Sequence, residues 1–456
     1  MIAIVFLAVL LVIALVFAAV GGPQLPVFAI VALCLLFALF FCAGIYIAAA
    51  LGILGLIVGY TFSDRPFWLF LGGAIWGPSS NFVFVAVPLF LLMGEILLRA
   101  GLSERLYRAL NVWLAPLPGG LLHTNIISCG VFSAISGSSV ATAATMGSVA
   151  LPYFANTRYN PRVVLGSLAA GGALGNLIPP GITFIVYGLL TETSVGKLYV
   201  AAIGPSLLVV ALFLMVIVWH GLRTGAVERG PKIAFRQKLA ALVDLVPTLI
   251  LILIVLGSIY AGLATPTEAA ALGVVAAAIF AAFGGKLSWS MLNKSAEATA
   301  RSTAFIGLIL FGAYILNFIL TSLQVPQAMA KMVSGMPLPP WAIMAIIILF
   351  YLALGTFMEG FSMVITTIPV IFPIVKALGY DPIWFGVIIT MVIEIAMISP
   401  PDGTVIYVLQ GMRPKPGPIS DIFIGVMPFL LVYMVAVYLL LVMPEIALWL
   451  PRYLGR

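Results

Sequence analysis

Apolar residues fill this chain in blocks of about 20, separated by short polar tips, with neither the strict alternation of strands nor the single apolar stripe of soluble helices. A bilayer core takes about 20 apolar residues per helix, so the blocks predict roughly 11 crossings. In lipid the backbone must be satisfied within helices or a closed barrel. Blocks this long and this rich in Leu, Ala and Ile do not read as barrel strands. The predicted fold class is therefore an all-α polytopic membrane protein. Crossings fall near 1–20, 26–42, 44–62 and 84–98, and a polar patch follows from Arg99 to Arg108. Then come 113–157, an interrupted span 163–190, and 197–220. A polar linker, 221–240, leads to 241–262, 267–284, 297–321, 340–378, a second interrupted span 383–411, and 420–445.

The pattern repeats. A shift of 221 residues lays Pro152 on Pro373, Pro161 on Pro382, and Pro179 and Pro180 on Pro400 and Pro401; Thr145, Thr183 and Gly204 fall on Thr366, Thr404 and Gly425. Matching loops differ in charge. Arg158 and Arg162 stand before the first interrupted span, where the second copy has Lys376; the basic "GMRPKPG" (Gly411–Gly417) follows the second span, where the first has "TETSVGK" (Thr191–Lys197). Lys and Arg mark the cytoplasmic side, so matching loops lie on opposite faces. An inverted repeat with paired broken helices predicts a secondary transporter with its site at the midplane.

Each repeat also carries a predicted re-entrant hairpin. In the first, 121–156, the polar tip "SAISGSSVAT" (Ser133–Thr142) joins arms of about 15 residues, roughly 23 Å of helix, which enter the bilayer and turn back. In the second, 340–378, the tip is "GTFMEGFSM" (Gly355–Met363). Pro180 and Pro401 donate no backbone hydrogen bond and free a carbonyl one turn back. Carbonyls at a helix break, joined by hydroxyls from a tip, make an oxygen cage for an alkali cation. Two Na+ sites are expected. Ser136, Gly137, Ser138 and Ser139 with Asn176, Pro179 and Gly181 frame the first; Thr356, Met358, Glu359 and Gly360 with Ser399, Pro401, Asp402 and Gly403 frame the second. The half-helix N-termini at Ile182 and Thr404 suit an anionic substrate instead, with Ser139, Thr142, Thr183 and Thr404 as candidate contacts. The acids at depth are Glu95, Glu359, Glu394 and Asp402, of which Asp402, directly after the double proline, is the leading functional candidate. Glu268 reads as structural: Thr265, Pro266 and Glu268 form a capping box.

Composition narrows the function. The chain is 63% hydrophobic and 8% charged, against about 25% charged in soluble domains. Its +7 net charge is dispersed in short loops, as topology signals rather than a nucleic-acid surface. Cys34, Cys42 and Cys129 lie in apolar runs without metal spacing. His123 and His220 are isolated, and His220 is expected to begin a cytoplasmic loop. Without a P-loop, ATP drive is not expected, and no enzyme activity is expected. Asp381 and Asp402 admit an intramembrane aspartyl protease as a distant alternative, but Asp381 repeats as Asn160 in a loop.

The stretches "SGSSVATAATMGSVALP", "GNLIPPGITFIVYG", "TPTEAAALGV" and "ISPPDGTVIYV", in that order, resemble the large membrane subunit of tripartite ATP-independent periplasmic (TRAP) transporters, from about Phe28 to Pro444. The resemblance implies an inverted-repeat elevator coupled to Na+, in the bacterial inner membrane. A transport domain (113–220 and 331–445) would slide against a scaffold (26–112 and 241–330), with a cytoplasmic linker at 221–240 and a periplasmic tail at 446–456. It implies a soluble periplasmic substrate-binding protein and a small four-helix membrane subunit as partners, membrane lipid around the chain, and an organic acid (a small-molecule carboxylate) as substrate. Residues 1–25 read as an extra leading helix, and Asp402 and Thr404 stand where the family more often has apolar residues. A self-sufficient ion-coupled transporter or antiporter of similar architecture is the alternative.

Overall fold

The computed structural model describes residues 40, 44–63, 66–154, 157, 159–224, 234–355, 358–401 and 403–454. The expected leading helix 1–25, and also Cys34, Cys42, Arg158, Thr356 and Asp402, lie outside the described residues.

Among the described residues every regular element is helical. In chain order they are α1 (Ile47–Phe62), α2 (Leu71–Ser79), α3 (Ala86–Arg99), α4 (Leu102–Leu114), α5 (Leu121–Ser136), α6 (Ser139–Phe154), α7 (Pro161–Gly172), α8 (Ile182–Thr191) and α9 (Val195–Thr224). The second half holds α10 (Phe235–Ile252), α11 (Pro266–Phe283), α12 (Trp289–Ser322), α13 (Val325–Ser334), α14 (Pro340–Leu354), α15 (Gly360–Ala377), α16 (Pro382–Met397), α17 (Thr404–Gly411), α18 (Ser420–Val442) and α19 (Glu445–Tyr453). Seven described helical stretches are long and apolar enough to cross a bilayer.

Local chemistry sets the boundaries. Asn160 accepts from the Arg162 amide at 3.0 Å and starts α7, with Pro161 at its first position. Asp381 does the same for α16, accepting from Ile383 and Trp384. These two caps are repeat equivalents: a side-chain acceptor satisfies the orphan amides, and proline tolerates the first turn. Thr265 and Glu268 complete a capping box on α11. Helix α5 stops at Gly137, whose φ of 61° is one that glycine reaches freely.

The repeat extends over almost the whole described chain. The same shift carries α1 onto α11, α4 onto α13, and α5 through α9 onto α14 through α18. The packing is crossed. Helix α1 lies on α12 of the other repeat, and its equivalent α11 lies on α3; α8 packs on the opposite hairpin arm α15, and α17 on α6. Helices α7 and α18 touch backbone to backbone: a Cβ on Gly166 would collide with Gly425. One end of the molecule is tied by Arg162 and Arg413, which hold the two oxygens of Asp421 at 2.9 Å each.

Several boundaries differ from those expected. His220 lies inside α9 rather than in a loop, because the helix outlasts its apolar run. The linker is correspondingly shorter than 221–240, since α9 runs to Thr224 and α10 begins at Phe235. The patch Arg99–Arg108 is mostly the amphipathic helix α4, whose Leu102, Leu106 and Tyr107 are buried, and Arg108 pairs with Asp244 at 3.2 Å. Most of the terminal tail is α19.

Candidate functional site

Each hairpin arm of the first repeat is 16 residues long, about 24 Å, and so falls short of the roughly 30 Å hydrocarbon core. The tip therefore ends inside the protein. There it meets the break between α7 and α8. The Ile182 amide donates to the Gly137 carbonyl at 3.1 Å. A Cβ on Gly175 would collide with the backbone of Ser138 and Ser139, and one on Gly137 would meet the Pro180 carbonyl. Glycine at these positions lets the two non-helical strands touch. The peptide bonds Pro179–Pro180 and Pro400–Pro401 are both cis.

The polar groups at this junction bond to one another, with one acceptor left over. Ser139 Oγ donates to the Glu394 carboxylate, 2.8 Å from Oε1 and 2.7 Å from Oε2. It accepts from the Asn176 backbone amide at 3.1 Å and from Asn176 Nδ2 at 2.9 Å. Asn176 Nδ2 also donates to Glu394 Oε1 at 2.8 Å. Ser136 and Thr142 share a hydroxyl hydrogen bond of 2.7 Å across the tip. Both hydrogens of the Asn176 amide are consumed, and its Oδ1 is left buried without a partner. Ser139 and Glu394 are 0% exposed and Asn176 is 2% exposed, so no bulk water serves them.

Glu394 joins the repeats. It lies on α16, whereas Ser139 and Asn176 belong to the first hairpin and the first break. Among the described residues no Lys, Arg or His pairs with it. An ionised carboxylate left alone at this depth costs several kcal/mol or more, so its charge calls for a cation or a proton. Among the described residues no group of three or more His, Cys, Asp or Glu is clustered for a transition metal. What the junction offers is neutral oxygen with one carboxylate behind it, a donor set suited to an alkali cation.

The structure thus brings Gly137, Ser138 and Ser139 of the tip against Gly175, Asn176, Pro180 and Ile182 of the break, while Gly181 closes on the Asn176 carbonyl of its own segment, Ser136 is engaged with Thr142 within the tip, and Pro179 enters through its cis bond to Pro180. Ser138 is turned to its own helix, where it accepts from the Ala141 amide at 3.4 Å. The second set is less complete in the described residues. Glu359 caps α15, accepting from the Ser362 amide at 3.2 Å. Met358 is buried, and Gly360 lies over Ile393 and Met397. The Ser399 hydroxyl bonds to the Pro400 carbonyl at 3.4 Å, and the exposed Pro401 accepts from Tyr407 at 3.1 Å. Gly403 closes on the Met397 carbonyl. Among the described residues no hydrogen bond joins Met358–Gly360 to Ser399–Gly403. The two copies also differ in chemistry: Gly360 and Met397 stand where the first repeat has Ser139 and Asn176. Of the substrate candidates, Thr142 is tied to Ser136, while Thr183 Oγ1 and Thr404 Oγ1 are buried without partners at the starts of α8 and α17.

Sequence reasoning counted Glu394 among the deep acids but left it out of both cages. Its signal was present: it is the single charged residue between Asp381 and Asp402, in an otherwise apolar run.

Comparison with known proteins places this architecture. A family model, the DctM component of the tripartite ATP-independent periplasmic transporter, matches residues 11–446, and so takes in part of the segment 1–25. The C4-dicarboxylate TRAP transporter large permease protein DctM of Pseudomonas aeruginosa is 34% identical over 378 residues, 83% of this chain and 88% of its own. The sialic acid TRAP transporter large permease protein SiaM of Vibrio cholerae is 30% identical, over 90% of this chain and 93% of its own. Among solved structures, the Alcanivorax borkumensis YdaH transporter shares the fold with a TM-score of 0.62 at 17% identity, covering 89% of this chain and 97% of that one. With a family match along nearly its whole length and an all-helical inverted repeat, the chain belongs to the DctM family of large permeases of tripartite ATP-independent periplasmic transporters.

Proposed function

We propose that this permease imports an organic acid in symport with Na+, taking it from a periplasmic binding protein in the bacterial inner membrane. The observation that carries the coupling is the buried Asn176–Ser139–Glu394 junction, with a free amide oxygen and a carboxylate that has no cationic side chain beside it. Sodium at Asn176 Oδ1, with carbonyls of the Asn176–Pro179 break, balances that carboxylate. A second Na+ belongs to the equivalent break, with Ser399, Asp402 and the Thr356–Gly360 tip as its ligands. Thr183 and Thr404, each at the start of a half-helix, present hydroxyls and a positive dipole end to a substrate carboxylate. The relatives' substrates, a C4-dicarboxylate and sialic acid, support the carboxylate class. The hairpins and half-helices form the moving body of an elevator, with α1, α3, α11 and α12 as its scaffold, braced by a small four-helix subunit.

The test is uptake of labelled C4-dicarboxylate or sialic acid into proteoliposomes holding this chain and its small subunit, with the soluble binding protein outside. Uptake is expected to need both an inward Na+ gradient and the binding protein. Transport that persists when choline replaces Na+ removes the coupling. Transport by this chain alone favours a self-sufficient carrier.

A further inference from the structure

A cavity of about 350 Å3 opens where the base of the first hairpin meets the loop after α17. Its floor is apolar: Leu151 and Phe154 from α6, and Val164 and Leu165 from α7. Its other wall is the basic loop carrying Arg413 and Lys415. The positive-inside rule puts both contributing loops on the cytoplasmic face, and the Arg162–Asp421–Arg413 bridge fastens them together. The charge around the mouth does not balance. Arg162 and Arg413 share the single carboxylate of Asp421, and exposed Lys415 pairs with no described carboxylate. An apolar floor beneath surplus positive charge, at the level where inner-leaflet headgroups lie, has the chemistry of one kind of molecule.

We propose that this cavity is a binding site for an anionic glycerophospholipid of the inner leaflet. The phosphate sits at exposed Lys415, in the positive field of Arg413, whose own nitrogens are held by Asp421 and the Pro418 carbonyl, and the upper part of one acyl chain lies on Leu151, Phe154, Val164 and Leu165. Basic pockets between membrane helices on the cytoplasmic side hold such headgroups. A free phosphate leaves the floor empty, and a neutral lipid leaves Lys415 without its counter-charge. The volume is within the range of small-ligand sites. The lipid adds to a seam where the two repeats already meet through the α7–α18 packing and the Arg162–Asp421–Arg413 bridge, and the proposal stands independently of Na+ coupling.

The experiment is native mass spectrometry of the delipidated, full-length protein titrated with phosphatidylglycerol, phosphatidylcholine of the same chains, glycerol phosphate or inorganic phosphate. One phosphatidylglycerol is expected to be retained in preference to the other three. Lys415→Ala should weaken retention about fivefold, the worth of one basic residue near an anionic lipid surface. Thr157→Trp, which fills the cavity from its rim, should weaken it without removing charge. Both positions are solvent-accessible, and an unchanged gel-filtration profile shows that each variant is folded. Equal retention by the wild type and both variants overturns the site. Equal retention of phosphatidylcholine overturns the charge selection, and equal binding of glycerol phosphate or inorganic phosphate overturns the lipid in favour of a simple anion.

Discussion

Glutamine at position 394 separates charge from shape. Asn176 Nδ2 lies 2.8 Å from Glu394 Oε1, and the oxygen of that same amide is the free acceptor. A sodium ion resting on that oxygen stands about 6 Å from the carboxylate; with an effective dielectric constant of about 20, their attraction is about 3 kcal/mol, or roughly a hundredfold in affinity. Glu394→Gln removes that attraction and keeps an oxygen to accept from Asn176. Glu394→Ala removes the acceptor as well, stranding the Ser139 hydroxyl and an Asn176 N–H at about 1–3 kcal/mol each. The glutamine variant should therefore melt close to the wild type without Na+, whereas its half-saturating Na+ concentration should rise by about one to two orders of magnitude. The alanine variant should show both the affinity loss and a lower melting temperature. The assay is the Na+ dependence of thermal shift in detergent, repeated as uptake in proteoliposomes. Half-saturation of Glu394→Gln within twofold of the wild type would refute the role given to the carboxylate.

Three further outcomes are expected. Gly175→Ala should push the tip away from the break, costing about 1–3 kcal/mol of overpacking and abolishing Na+-dependent uptake in protein that still inserts; wild-type uptake would show that the contact at Ser138 and Ser139 is dispensable. Thr265→Ala should destabilise by about 1 kcal/mol through loss of the α11 cap and leave the Na+ dependence unaltered; a changed half-saturation would give Glu268 a functional part. Asp402→Asn should weaken Na+ activation more than it alters melting, as measured by the same pair of assays; unchanged activation would remove Asp402 from the second cage.

The sequence carried the architecture where the physical signal was local or periodic. Proline pairs 221 residues apart marked both breaks, and the Gly-Ser tip at 133–142 marked a turn inside an apolar hairpin. Thr265 with Glu268 announced a cap because both partners lie within one helical turn. The part that stayed hidden depends on distance along the chain. Glu394 finds Ser139 across 255 residues, and no spacing rule links a lone acid to a serine so far upstream. Helix α4 was concealed for a different reason: its arginines break the apolar run, yet its buried face repeats at helical spacing. His220 was misplaced because the polar end of a long helix looks like the start of a loop.

The crossed packing has a consequence for how the molecule is made. As the ribosome delivers the amino-terminal half, Ser139 and Asn176 enter the bilayer before the glutamate they will bind has been translated. Helix α8 likewise waits for a hairpin arm that is still in the future. Until the late half arrives to clasp it, the early half sits in the membrane without the partner that its hydroxyl and amide hold in the finished fold.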